Sequence, residues 1–105
     1  MKICVFYVPF EKIESAESIL KLLLENKLIA CGNVFDSKSF YNWDESLVQD
    51  SEVIVMMKTI PENSILLEKR ILELHPYKIP AILHWDVYVN ESYYDWVKIQ
   101  VIVDK

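Results

Sequence analysis

Glycine occurs once in these 105 residues, at position 32, and alanine only three times. Phosphate-cradling loops need glycine wherever backbone must approach the anion closely, so the P-loop and the dinucleotide fingerprint are both excluded. Arginine is also single, at Arg70, and 11 basic against 16 acidic side chains leave a net charge of −5. No segment concentrates lysine or arginine as counterion release from DNA or RNA requires, so no nucleic-acid partner is expected. Cysteine numbers two, Cys4 and Cys31. That is too few for the disulfide framework of a small secreted domain, and they form no CxxC pair. No apolar run reaches the roughly 20 residues of a membrane span. The run at 3–8 is too short for a signal-peptide core and has no cleavage site. These features predict a cytoplasmic protein with reduced thiols and no membrane contact, for which the sequon Asn90-Glu91-Ser92 has no meaning.

What the chain does have is bulk. Thirty-eight residues are Leu, Ile, Val or Phe, ample for a folded core. A chain of this size forms one domain, here 1–105. Residues 3–8 are β-branched, aromatic and apolar and read as a strand ended by Pro9. Over 12–27, Ile13, Ala16, Ile19, Leu20, Leu23 and Leu24 recur at helical spacing with charges between them. Segments 28–43 and 47–58 are β-rich, and the gap Asp44-Glu45-Ser46 between them has hairpin length. Pro61 opens a second helix that His75-Pro76 stops. A strand follows over 79–89, then a helix near Ser92 with Asp95 completing a capping box. That helix packs through Tyr93, Trp96 and Val97, with Tyr94 and Trp96 assigned to core and interface. Residues 101–103 are a candidate final strand. The order is βαββαβ with an added C-terminal helix, an α+β ferredoxin-like sandwich.

In that architecture both helices cover one sheet face. The strands, however, are apolar on both faces: Ile3, Val5 and Tyr7 on one, Cys4, Phe6 and Val8 on the other, and 53–57 throughout. The second face would exceed the apolar patch a monomer normally exposes. A homo-oligomer that packs the open faces together is therefore expected.

Three blocks stand out: Leu28-Ile29-Ala30-Cys31-Gly32-Asn33; Ser39-Phe40-Tyr41-Asn42-Trp43 with Glu52-Val53 and Met57-Lys58-Thr59; and His75-Pro76-Tyr77 with Pro80 and Tyr94-Asp95-Trp96. Together they resemble the CutA family, named for divalent cation tolerance. The resemblance implies a homotrimer whose long hairpins exchange strands, with a pocket at each subunit boundary. The chain departs from the family at Ala81, where an acidic residue is usual, and at His84-Trp85-Asp86. Those two polar residues replace the lost carboxylate only if they face the same cleft. Residues 34–38 lack the usual Pro-Gly kink.

The candidate site residues each carry a structural reading as well. Cys31 is a small hydrophobe or a soft-metal thiolate for Cu or Zn. His75 complements a helix C-terminus or, with Tyr77, offers donors to a cleft. One His and one Cys do not make a metal site within one chain, so donors must come from separated positions or from two subunits. Tyr41 and Trp43 share a strand face, as do Glu52 and Lys58. A turn closing at Glu45-Ser46 sets Glu52 opposite Ser39 and brings aromatics and carboxylate together. The resemblance implies a pocket of Tyr41, Trp43, Glu52, Lys58 and Tyr77 for a small ligand, with Cys31 and His75 for metal and no organic cofactor. This points to a binding protein in cation tolerance rather than an enzyme. The alternatives are a PII-like nucleotide sensor, disfavoured by the single Gly and single Arg, and an enzyme using His75 as general base.

Overall fold

The computed structural model describes residues 1–103. Strand β1 (Lys2–Phe10) leads to helix α1 (Ile13–Glu25), the antiparallel pair β2 (Cys31–Trp43) and β3 (Ser46–Thr59), helix α2 (Ser64–Leu74), strand β4 (Leu83–Tyr88) and helix α3 (Glu91–Gln100). The sheet order is β2-β3-β1-β4, antiparallel at every pairing. This is the α+β ferredoxin-like arrangement expected from the element order, with α1 and α2 on one face.

Alternation decides what each face buries. Cys4, Phe6, Val8 and Phe10 of β1, with Val53, Val55 and Met57 of β3, pack against Ala16, Leu20 and Leu23 of α1 and Leu67 and Ile71 of α2. Gly32 serves this packing, because a Cβ there would collide with the Leu20 side chain lying over β2. On the opposite face a smaller cluster joins Ile3 and Val5 to Ile60, Val97 and Val101. The face opposite α1 and α2 is thus partly covered by α3. Val97 is the residue that anchors it, whereas Trp96 stays 43% exposed. Further along the same face Phe35, Leu83 and Trp85 remain open to solvent.

Several local expectations shift. Strand β1 runs on through Pro9, which pairs with Ile54. The segment before β4 is loop up to Ile82, since Pro76 and Pro80 deny it ladder donors. No side chain caps α3; its N-cap is Asn90, whose amide donates to the Ser92 hydroxyl at 2.8 Å, so the Ser92–Asp95 capping box does not form. Residues 101–103 are not a strand, although the Ile102 amide donates to the Lys27 carbonyl at 2.9 Å.

The hairpin turn is two residues, Asp44-Glu45, with Trp43 opposite Ser46. Both turn residues have positive φ, 49° and 63°, the geometry that matches strand twist in a tight hairpin. Because the turn closes at Asp44-Glu45, one residue earlier than the expected Glu45-Ser46, the register shifts by two and Glu52 faces Ser37 rather than Ser39. A slip of two preserves the faces, and Tyr41, Trp43 and Glu52 still share one. Beyond the Phe10–Val53 pair at the end of β1 the hairpin continues as a bare two-stranded ribbon.

Candidate functional site: a cleft between the ribbon and the Pro76–Ala81 loop

The ribbon overhangs the loop between α2 and β4 and encloses a cleft of about 980 Å³, lined by Tyr41, Trp43, Asp50 and Glu52 from the ribbon and by Tyr77, Ile79 and Ala81 from the loop, with Pro9 and Glu11 at its floor. Its polar groups are already organised. Glu52 accepts hydrogen bonds from the Ser39 hydroxyl and, at 3.4 Å, from the Tyr77 hydroxyl. The Tyr41 hydroxyl donates to Asp50 Oδ2 at 2.6 Å. Burial, and then the nearby Glu52 carboxylate, push the Tyr77 phenol up to about 12. The hydrogen bond to Asp50 raises Tyr41 above its ordinary value. Both phenols therefore stay neutral and act as donors to carboxylates.

Tyr77 is placed by His75. The imidazole is 7% exposed and stacks on Phe10 with ring centroids 4.3 Å apart. Its Nδ1 accepts the Tyr77 backbone N–H at 3.1 Å. Nε2 must then carry the proton, which it donates to the Pro9 carbonyl at 2.8 Å. With both nitrogens engaged by backbone, His75 has no lone pair left for a metal or a substrate proton. The ring joins the end of α2 to the end of β1 and fixes the loop that carries Tyr77.

Burial holds the His75 pKa below its ordinary 6.5, with the Pro9 carbonyl pulling weakly the other way. Between the folded and unfolded values the unfolded chain binds more protons, so stability rises with pH through the window below 6.5 and is level above it. His75→Gln is expected to flatten this dependence. Urea denaturation of both proteins as pH falls below 6.5 checks it, and equal slopes would refute the assignment.

Other candidate residues lie apart from the cleft. Lys58 is six residues along β3 from Glu52, roughly 20 Å at the strand rise, and its ammonium donates to Asn33 Oδ1 at 3.0 Å. Cys31 pairs with Lys58, four β1 residues away from Pro9 and on the sheet face opposite Phe10 and His75. Cys31 and His75 therefore do not meet within one chain. Among the described residues no three His, Cys, Asp or Glu converge as a metal site. Nor do His84 and Asp86 face the cleft. His84 stacks on Phe6 and bonds Glu68 of α2 at 3.0 Å, and Asp86 lies against the buried Cys4 thiol, which burial pushes up to about 12. Asp50 and Glu11 are cleft residues that sequence reasoning missed. Period two from Glu52 would have reached Asp50, but Glu11 arrives only through tertiary packing.

All three blocks fall within residues 4–100, which match the family described as CutA1 divalent ion tolerance protein. The chain belongs to the CutA1 family. The divalent-cation tolerance protein CutA of Pyrococcus horikoshii is 43% identical over 94 residues, covering 89% of this chain and 92% of that one. The crystal structure of CutA1 from that organism superposes with a TM-score of 0.90 at 39% identity, covering 94% of this chain and 98% of that chain. A CutA from Archaeoglobus fulgidus described as a periplasmic divalent cation tolerance protein gives 0.89 at 30% identity, over 95% and 99% of the two chains. The CutA of Nostoc, described as PII-like, gives 0.83 at 33% identity, over 99% and 100%. At this coverage the likeness extends over the fold as a whole. No helix among the described residues is long and apolar enough to cross a membrane.

Proposed function

We propose that this CutA1 chain acts as a cytoplasmic homotrimer in divalent cation tolerance, binding a small ligand or a metal ion in a pocket at each subunit boundary. The observation that carries the reading is the cleft beneath the ribbon, where aromatic rings and carboxylates from distant parts of the chain converge on about 980 Å³. That volume suits a small molecule. The ribbon supports the assembly, because two strands without a third are marginal in water, and Phe40 and Leu47, on the ribbon face away from Tyr41 and Trp43, are 61% and 74% exposed. A second subunit supplies the missing cover. The cytoplasmic assignment rests on two free thiols.

A metal site that uses Cys31 has to draw its other donors from a neighbouring subunit, given the separation from His75. Binding by residues placed for recognition, not turnover, fits a histidine whose nitrogens are both committed. Titration calorimetry of the assembled protein with Cu(II) and Zn(II) tests the metal arm. Saturable binding that is lost in Cys31→Ala and retained in His75→Gln is expected. Unchanged binding in Cys31→Ala removes the thiolate from the reading.

A further inference from the structure

Three kinds of surface meet in the cleft, and together they select a chemical class. Tyr41, Trp43 and Tyr77 contribute rings, Ile79 and Ala81 an apolar wall, and Glu11, Asp50 and Glu52 negative charge, while no lysine or arginine among the described residues lines it. An anion or a nucleotide phosphate would meet carboxylates with no base to pair with. A bare divalent ion needs several oxygens converging at about 2.0–2.6 Å, and no such group of three exists among the described residues. The carboxylates are instead spread along the cleft and partly occupied by hydroxyl donors, Glu52 by Ser39 and Tyr77, Asp50 by Tyr41.

Diffuse negative charge beside ring faces matches a diffuse, weakly hydrated cation that carries apolar groups of its own. Hydrogen bonds from Tyr41 and Tyr77 to carboxylates draw the phenol protons outward, which enriches the ring faces toward such a cation. We propose that the cleft binds an alkyl-substituted organic ammonium ion, its charge held by Glu52 and Asp50 and its alkyl groups packed on Tyr41, Trp43 and Tyr77. The proposal rests on the cleft being the binding site and names the ligand class for it.

The test uses the assembled protein, with choline as probe and 3,3-dimethylbutan-1-ol as its uncharged isostere. Choline is expected to shift the aromatic NMR signals of Tyr41, Trp43 and Tyr77 saturably, and the isostere to bind at least about tenfold more weakly. Trp43→Leu and Glu52→Gln should each weaken choline about tenfold. Tyr88→Leu, which removes an aromatic 82% exposed on β4, should leave it unchanged. Equal affinity for choline and the isostere, or choline binding unaffected by both cleft variants, overturns the proposal. Zn(II) or an anion shifting the cleft signals while choline does not overturns the ammonium class and leaves the cleft as a binding site. Silence of choline, Zn(II) and phosphate together overturns both.

Discussion

A chain carrying Phe35→Glu and Trp85→Glu is expected to run as a 12.4 kDa monomer where the unaltered protein runs at three times that mass. Both side chains lie on the sheet face opposite α1 and α2, each 43% exposed, and α3 covers only the Ile3–Val5 end of that face. Fully burying a large apolar side chain contributes about 1.5–3 kcal/mol. Two half-exposed residues contribute less each, yet a glutamate in place of each adds the cost of desolvating a charge. The trimer dissociation constant should rise at least about 1000-fold, or about 4 kcal/mol. The ribbon then loses its cover, so amides of 37–52 should exchange quickly in the variant while those of β1 stay protected, as expected for a two-stranded hairpin left to itself. Sedimentation and hydrogen exchange at micromolar concentration decide the matter. An unaltered protein that is itself monomeric rejects the assembly, and a double variant that keeps its full mass rejects this sheet face as its interface.

Phe10→Ala is expected to be the most damaging single truncation near the cleft, at about 3–5 kcal/mol. Phe10 has no exposed surface, belongs to the main core and stacks on His75. Its removal opens a cavity on one side of the imidazole and lets water reach the ring. Since burial is what depresses the His75 pKa, the pH dependence of stability below 6.5 should weaken in the same variant. The loop carrying Tyr77 should loosen with it, because the Tyr77 amide is held by His75 Nδ1. Phe10→Leu, which retains most of the volume, should cost less than about 1.5 kcal/mol and keep the pH slope. Denaturant unfolding of the two variants across pH separates cavity from clamp. An unchanged pH slope in Phe10→Ala would show that Phe10 does not shield the imidazole.

The site was legible in parts, and the parts follow a rule. Tyr41, Trp43 and Glu52 could be set on one surface from alternation along two strands, even with the register displaced by two, because face depends only on parity. Distances along a strand were not recovered by the same reasoning: Lys58 shares the parity of Glu52 but sits at the far end of β3. His75 and Tyr77 could be picked out as residues beside a helix end. That the imidazole spends both nitrogens on backbone groups, and so positions Tyr77 rather than binding a ligand, depends on the end of β1 arriving within 2.8 Å. His84 and Asp86 offered suitable chemistry, yet their strand parity turns them toward α2 and Cys4.

Local information determined the sequence of elements, the faces of each strand and the need for cover on both sides of the sheet, since hydrophobic period and turn chemistry are properties of neighbouring residues. The block pattern also determined the family. Tertiary structure alone decided how far α3 closes the second face, where the ribbon parts from the sheet, and that the loop after α2 swings under it to make a cleft. Those outcomes depend on contacts between residues tens of positions apart, such as Glu52 with Tyr77 and Pro9 with His75, and the energies that favour them are shared among many side chains rather than carried by any motif.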